Sequence, residues 1–428
     1  MRNQRLYAWF TRTKLRYGLT FSQAGLLPRE SRAGGRTGLP CTATSSLLSL
    51  SCACPEMEHV SEPSDPPTER VAERALATRP RIDAAQVKEL LLPFTGGSLA
   101  LPAVIFAADV VFYLGTLALA VFPFNLWLRV AASLLLGLAI GTLFIIGHDA
   151  CHGSFTKSDF LNKAFGRVAF LPSLHAFSLW RLGHNAIHHR YVNLNSTDYV
   201  WTPLSKLQYD KLNGCQRWLY RFYRTVPGHA FYYLYEIWWK KMVFPNRAEV
   251  PERRSEYLWD SLLVTAYAVG LVGVLVWVAR WTAQPWWLPV LLGFVTPYFV
   301  WNWLMGFVIF LHHTHPSVAW FDGPEEWNYW ESQIEGTTHV NFPRVLNFIL
   351  HNILEHTAHH ALTNIPMYRL RQAQDALESR FGNRITVVEW TLSGYLDTLK
   401  RCRLYDYRNH RWLDYQGKPT TSCTLPKR

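Results

Sequence analysis

Long apolar runs are the dominant pattern of this chain of 428 residues. Two of them lie close together at residues 98–122 and 126–147, and two more lie at residues 258–279 and 286–311. Each run is longer than the roughly 18–20 residues that a helix needs to span the hydrocarbon core of a bilayer. Runs of this length with almost no charge rarely belong to the interior of a soluble protein, so the pattern predicts four transmembrane helices.

The spacing of the runs predicts two hairpins. Residues 123–125 separate the first two runs, and residues 280–285 separate the last two. Connections this short leave neighbouring helices antiparallel. Between the hairpins, residues 153–257 carry 15 Lys and Arg against 7 Asp and Glu. By the positive-inside rule, we expect this middle region and both termini to lie in the cytoplasm.

Tryptophan and the net charge agree with a membrane setting. Tryptophans stand near the predicted helix ends, for example at residues 238–239, 286–287 and 301–303, as in the aromatic belts of membrane proteins. The formal net charge of +12 suits an anionic membrane surface. No nucleic-acid motif accompanies this charge, and we predict no nucleic-acid partner.

Histidines carry the candidate chemistry, and eight of them form three short clusters. Residues three and four apart share a face of a helix, so each cluster is expected to aim two or three imidazoles at one point. Neutral imidazole binds iron, zinc, copper and nickel. Eight nitrogens are too many for one tetrahedral zinc and suit two metal ions. The clustered residues are His148, His152, His184, His188, His189, His356, His359 and His360.

The clusters lie outside the apolar runs. His148 directly follows the second run, and residues 312–315 directly follow the fourth. No histidine lies inside a run, which argues against a b-type cytochrome. The runs are apolar apart from Asp109, Arg129 and Asp260, which argues against an ion pathway through the bilayer. The pattern therefore predicts a metal site in a helical cytoplasmic cap that rests on the ends of two hairpins. A metal transporter or sensor is the non-enzyme alternative.

The middle and C-terminal regions are expected to be mainly helical. Two aromatic stretches, near residues 168–182 and 229–244, are too short to span a bilayer and are expected at its interface. Residues 367–400 are expected to form helices that pack against the cap, with residues 384–390 extended. The predicted fold is an all-α integral membrane protein with little or no sheet.

Several motifs around the histidines resemble the membrane fatty-acid desaturase and hydroxylase superfamily, whose members have three histidine boxes and a di-iron site. The similarity is to acyl-lipid desaturases of the omega-6 type, and it covers roughly residues 95–415. Glu355 departs from the pattern, because a small or polar residue is expected there. The matching motifs are residues 147–155 (GHDACHGSF), 170–172 (FLP), 180–184 (WRLGH), 310–316 (FLHHTHP), 351–353 (HNI) and 364–368 (NIPMY).

The resemblance implies an activity and its requirements. It implies a fatty acid desaturase that uses two iron ions and O2 to introduce a cis double bond into a membrane lipid acyl chain. Two electrons are expected from a separate donor such as ferredoxin, rubredoxin or cytochrome b5, because no haem-binding module is fused to the chain. Relatives in this superfamily also decarboxylate free fatty acids to terminal alkenes or hydroxylate alkyl chains, and both reactions remain alternatives.

The resemblance also assigns roles to residues. The metal ligands it implies are the eight clustered histidines together with His313 and His351. Arg181, beside the second box, is a candidate partner for a substrate carboxylate or a lipid phosphate. Five further residues are expected to support the ligands, the carboxylates among them by accepting hydrogen bonds from imidazoles or else as ordinary capping groups. They are Asp149, Asp198, Glu355, His312 and His315.

The ends of the chain differ in composition from its middle. Residues 1–56 are rich in Arg and Ser and poor in acids, which is typical of a transit peptide. They are alternatively translated upstream sequence with Met57 as the true start, which we favour because an acidic, Pro-rich stretch typical of disorder follows. We expect residues 1–94 to be a disordered or non-native extension, residues 95–415 the desaturase domain and residues 416–428 a tail.

Overall fold

The computed structural model describes residues 81–195, 197–243, 245 and 255–424, and in these ranges the protein is mostly helical. The expectations for residues 1–80 lie outside the described residues. In chain order the described α-helices are α1 (Ala84–Leu91), α2 (Ala100–Val121), α3 (Leu126–His152), α4 (Asp159–Phe170), α5 (Phe177–Gly183), α6 (Lys206–Asp210), α7 (Gly214–Tyr223), α8 (Gly228–Tyr232), α9 (Ser255–Trp281), α10 (Trp287–Val290), α11 (Thr296–His313), α12 (Tyr329–Glu335), α13 (Arg344–Ile349), α14 (His356–Ala361), α15 (Leu370–Phe381) and α16 (Leu392–Arg401).

Shorter elements complete the described part of the chain. There are π-helical segments at His184–His188, Tyr233–Val243 and Leu291–Val295, and 3₁₀ turns at Leu92–Phe94, Met367–Arg369 and Gly382–Arg384. The strands are β1 (Thr338–Asn341), β2 (Thr386–Glu389), β3 (Leu404–Asp406) and β4 (Arg411–Leu413). β1 and β2 pair in parallel, whereas β3 and β4 pair antiparallel. The extended stretch predicted near residues 384–390 is thus confirmed as β2.

Four helices are long and apolar enough to cross a membrane, as the hydrophobic pattern predicts. They are α2, α3, α9 and the continuous helix Trp287–His313, with mean hydropathies between 1.6 and 2.3. They differ in burial: 72% of the apolar window of α3 is buried inside the protein, against 17% for α9. α3 is therefore the central helix of the fold, and α9 is a peripheral one.

Two of these helices extend further than the apolar runs predict. α3 continues through the first histidine cluster to His152 and ends at Gly153, whose φ of 74° is the left-handed geometry of a helix C-cap. The fourth helix likewise includes His312 and His313 in its last turn. The expectation that histidines follow the spans is therefore wrong in detail. Helical hydrogen bonding does not stop where hydrophobicity stops, so these imidazoles are held by the helices themselves.

Aromatic side chains from neighbouring helices pack against α3 close to the first histidine cluster. The ring of Phe144 lies 4.7 Å from that of Phe170, 4.9 Å from Trp180 and 4.5 Å from Trp301. This close approach depends on Gly147, because a Cβ at that position would lie 2.3 Å from the Phe170 ring. The glycine in front of the first box thus lets α4 pack directly against α3, one residue before His148.

Candidate metal centre

Nine histidines from four segments converge into two groups at one end of the long helices. Within each group, one ring nitrogen from every residue lies within 4.8 Å of the others. Eight of the nine are buried, and His152 is partly exposed. The first histidine group contains His148, His152, His184, His189 and His359, and the second contains His188, His313, His356 and His360.

The nitrogen spacings fit metal ligation. In the first group the Nε2 atoms of His148 and His184 are 2.7 Å apart, and those of His184 and His189 are 3.0 Å apart. In the second group the Nε2 atoms of His313 and His356 are 3.0 Å apart. Two nitrogens held at right angles about 2.1 Å from one ion lie about 3.0 Å apart. Each group therefore has the dimensions of a coordination sphere.

Unsatisfied nitrogens point to the same conclusion. Among the described residues, the buried Nε2 atoms of His152 and His360 have no hydrogen-bond partner within the protein. Buried polar atoms are normally paired, because desolvation without a partner is unfavourable. A metal ion would supply the missing partner in both cases.

The second box divides its histidines between the groups because its helix contains a π turn. The backbone nitrogen of His189 donates to the carbonyl of His184 at 2.9 Å, which is the i→i+5 bond of a π-helix. His184 and His189 therefore both face the first group, whereas His188 faces the second. The expectation that each cluster aims at one point is wrong for this box.

The third box also serves both groups, but without a π turn. His356 and His360 are four residues apart on α14 and share the face that meets the second group. His359 lies on another face of the same helix and belongs to the first group. The helix end at Leu362 follows directly, so α14 consists almost wholly of the box.

Asp198 orients His188. Its Oδ1 atom lies 3.0 Å from His188 Nδ1 and also accepts a hydrogen bond from the backbone nitrogen of Val200. Its Oδ2 atom accepts from the backbone nitrogen of Asn193 at 2.9 Å. A carboxylate so placed accepts from Nδ1–H, which leaves His188 Nε2 unprotonated and free to bind a metal.

Gln333 plays the same part for His360, and it was not among the site residues predicted from the sequence. Its Nε2 donates to the carbonyl of His189 at 2.8 Å, so its Oε1 is the acceptor for His360 Nδ1–H at 2.9 Å. This single amide thereby fixes the tautomer of a second-group histidine and touches the backbone of a first-group one. Gln333 lies on α12, far in sequence from any box, and no local motif distinguishes it.

Asp149 and Glu355 make hydrogen bonds to groups other than the imidazoles expected from the sequence, although Asp149 Oδ1 lies 3.7 Å from His148 Nδ1. Asp149 Oδ2 accepts from the backbone nitrogen of Met367 at 2.6 Å. Glu355 Oε1 accepts from Asn347 Nδ2 at 2.7 Å and lies 3.3 Å from Arg371. Burial raises the pKa of Glu355, and its hydrogen bond from Asn347 opposes that rise. Through these hydrogen bonds, each carboxylate links a histidine box to another segment of the chain.

His312 and His315 lie beside the site and belong to neither group. The His312 ring is buried and stacks on the ring of His356, with 3.6 Å between ring centres. His315 Nδ1 accepts from the backbone nitrogen of Ser317 at 3.1 Å. Burial lowers the pKa of His315 to about 4.

Two further predicted site residues lie away from both groups. His351 Nε2 lies 2.7 Å from Asp109 Oδ2 on α2, and the residue is in neither histidine group. A guanidinium nitrogen of Arg181 lies 3.5 Å from a carboxylate oxygen of Glu256. The guanidinium is therefore engaged by an acidic partner.

Burial favours the neutral form of several clustered imidazoles. For His184, His189, His356, His359 and His360, burial is the largest cause that lowers the pKa well below its ordinary value, and neighbouring imidazoles lower it further. Neutral imidazole is the form that binds a metal. These five imidazoles can therefore bind a cation without first losing a proton.

An apolar cavity opens directly onto the histidines. Six histidines line one end of it, among them His148, His188 and His313, and the rest of its wall is aliphatic or aromatic. The wall comes largely from α3, α11 and the segment 342–354. Among the residues lining this cavity there is no Lys, Arg, Asp or Glu. Such a cavity suits a hydrocarbon chain held against the metal site.

Comparison with known proteins agrees with the geometry. The family described as "Fatty acid desaturase" matches residues 124–388. The chain is 32% identical to an sn-1 oleoyl-lipid 12-desaturase of Arthrospira platensis over 259 residues, 60% of this chain and 70% of the relative. It is 31% identical over 259 residues to the sn-1 acyl-lipid omega-3 desaturase (ferredoxin) of Synechocystis, covering 58% of this chain and 67% of that one. It is 30% identical over 312 residues to a chloroplastic omega-6 fatty acid desaturase of Spinacia oleracea, covering 68% and 63%.

Proposed function

The chain belongs to the fatty acid desaturase family, and on that premise we propose that it introduces a cis double bond into the acyl chain of a membrane glycerolipid at a di-iron centre. The enzyme is an oxidoreductase of lipid metabolism with four helices that are long and apolar enough to span a membrane. The observation that carries the proposal is the apolar cavity that ends against the two histidine groups.

We assign one iron to each histidine group, so that nine imidazoles hold both ions. Iron suits an all-imidazole site and O2 chemistry. Bound there, the irons would supply the oxidising power that an unactivated methylene requires, with O2 and two electrons from an external donor. A relative of this chain is named for ferredoxin, which makes a soluble iron–sulfur carrier the first donor to test.

The residues of the chain position the substrate and exclude water. The lining of the cavity offers only apolar contacts away from the histidines, so it holds an acyl chain by burial of its methylenes. Each buried methylene contributes about 0.8 kcal/mol, and burial of about ten contributes roughly 8 kcal/mol before the entropy of ordering the chain is subtracted. Asp198 and Gln333 meanwhile keep their imidazoles in the metal-binding tautomer.

The comparisons favour desaturation over decarboxylation, because the relatives are named as lipid acyl desaturases. Among the residues that line the cavity there is no Lys or Arg, and Arg181 lies near Glu256. A substrate carboxylate at the reacting end would therefore have only the metal ions as cationic partners, whereas a methylene segment needs none.

We further propose two helical hairpins beneath a cytoplasmic cap, with the active site on the cytoplasmic side. Arg129, at the start of α3, donates to the carbonyls of Ala120 and Val121 at the end of α2. Gln284 donates to Val121 as well, so both short connections lie together. The basic residues 153–257 support the cytoplasmic side for the opposite end. We keep residues 95–415 as the catalytic domain.

Lipid analysis after expression in a host that lacks the product tests this function. The expected product keeps the carbon number of its precursor and loses two hydrogen atoms, and it appears in glycerolipids. Headspace analysis run beside fatty-acid methyl ester profiling detects the competing outcomes. A terminal alkene one carbon shorter, or a hydroxylated chain, without a new double bond would refute desaturation. His188→Ala serves as the inactive control, because it removes a second-group ligand.

A further inference from the structure

We propose that Asp109 and His351 form a positioning pair that fixes one wall of the apolar cavity and so decides which carbons of the acyl chain reach the histidine groups. This inference rests on the proposed function and assigns His351 a role outside the metal site. Its basis is the 2.7 Å contact between His351 Nε2 and Asp109 Oδ2.

Asp109 is an ionisable side chain inside an apolar helix. It lies on α2, nine residues after its start and therefore about 14 Å along a candidate membrane span. The residue is 8% exposed. Charged groups inside spans are unfavourable unless they are paired, and they usually mark function. His351 is its partner, although 242 residues separate the two in sequence.

The backbone at His351 is held in an uncommon conformation. His351 and the next residue, Asn352, have φ values of 49° and 57°, in the left-handed region that non-glycine residues rarely adopt. Such conformations persist where the surroundings enforce them, and they cluster at ligand clamps. Here Asn352 Nδ2 donates to the carbonyl of Met367 at 3.2 Å, and its backbone nitrogen donates to Asn347 at 2.9 Å.

The constrained turn connects the cavity to the metal site. The residues on either side of it, Leu346 to Leu350 and Ile353 to Leu354, contribute five side chains to the cavity wall. His356 of the second histidine group follows two residues later. A displacement of the turn therefore moves the wall and bears on the position of the chain relative to the ligands.

Few side chains of the protein itself pack against the outer side of this wall. On α13 the side chains of Val345 and Phe348 are 72% and 76% exposed. On its inner side Asn347 is bonded to Glu355, within the same segment. The His351–Asp109 contact instead joins the segment to a different helix, the long α2. It is thus the contact suited to set the position of the wall relative to the spans.

Positional analysis of the product tests this pair. We would express the full chain as wild type, Asp109→Leu, His351→Leu, His351→Asn and the double Leu variant, and determine double-bond position and iron per protein for each. The three single variants should keep two irons while the share of the minor positional isomer rises about tenfold, the change usual for residues coupled through contact. The double Leu variant should show no larger share of the minor isomer than either single Leu variant, because each residue acts through the other.

Conservative replacement and a matched control sharpen the test. Asp109→Asn keeps an oxygen that accepts from His351 and should restore the wild-type isomer pattern. Asp210→Leu, which removes an exposed carboxylate paired with Lys206, should leave it unchanged. Single variants that desaturate lipid and keep the wild-type isomer pattern would overturn the proposed Asp109–His351 pair but not the proposed function. Loss of iron in both His351 variants but not in Asp109→Leu would make His351 a ligand instead. A wild type that yields no new double bond would overturn the proposed function itself.

Discussion

Replacing Asp198 by Asn should weaken iron binding at the second histidine group and spare the first. The carboxylate accepts three hydrogen bonds, from His188 Nδ1 and from the backbone nitrogens of Asn193 and Val200. An Asn that keeps its oxygen toward His188 and Val200 turns its NH₂ toward the nitrogen of Asn193. One bond is then replaced by a donor facing a donor, and the charge that favours the Nδ1–H tautomer is lost.

The size of the effect follows from these contacts. Hydrogen bonds to a charged group contribute about 1.5–3 kcal/mol. At about 1.4 kcal/mol per tenfold change, this corresponds to roughly a 10- to 150-fold loss of affinity. The usual consequence of altering a partner of a metal-bound imidazole is about 10- to 100-fold, so the two figures agree. At a chelator concentration that leaves the wild type with two irons, the variant should hold close to one.

The assay measures the number of irons per purified enzyme at increasing chelator concentrations, together with the desaturation of lipid. Asp210→Asn is the matched control, since that carboxylate is about half exposed and paired with Lys206. Equal loss of both irons in Asp198→Asn would show that the groups do not bind separately. Retention of both irons at every chelator concentration would show that the Asp198 contact does not orient a ligand.

Four further outcomes are expected. His359→Ala should abolish desaturation and lower iron content at the first group. His315→Gln, which lies outside both groups, should retain both activity and iron. Equal iron content in the two proteins would contradict the assignment. His175 is buried, and its Nε2 lies 2.8 Å from the hydroxyl oxygen of Tyr233. Burial lowers the pKa of His175 to about 3, so its contribution to stability is fully present above the unfolded value near 6.5 and is lost as pH falls toward 3. His175→Gln should therefore show a shallower fall of Tm between pH 7 and 5 by thermal unfolding. A cysteine at Ser205 should resist a membrane-impermeant reagent applied from outside, and labelling there would reverse the topology. Deletion of residues 1–56 should leave membrane insertion and activity intact, because no span or box lies there, and a loss of activity at normal expression would reveal a role for the segment.

The sequence predicted those features that depend on local periodicity. Long apolar runs identified the four long helices, and the extended stretch near residues 384–390 is β2. The histidine clusters identified the residues that gather at the helix ends. These predictions succeed because hydrophobicity over about 20 residues, and spacings of three and four, carry structural information without reference to the rest of the chain.

Features that depend on tertiary packing could not be predicted from the sequence. The π turn at His184–His188 is not encoded by any spacing rule, and it decides which group each histidine joins. Gln333 reaches His360 only because α12 packs beside α14. The Asp109–His351 contact joins residues 242 positions apart, so neither local spacing nor the family resemblance, which made His351 a candidate ligand, could show it.

With the π turn in the second box, the second and third boxes divide their histidines between the two groups in opposite ways. The second box has its histidines at positions 1, 5 and 6, and the third at positions 1, 4 and 5. In each box the outer two serve one group and the middle one serves the other, with the assignment reversed between the boxes. The extra residue of the second box is absorbed by the wider turn, which keeps His184 and His189 in phase. Each box therefore supplies ligands to both histidine groups, so that loss of a whole box, unlike loss of one histidine, would remove ligands from both groups.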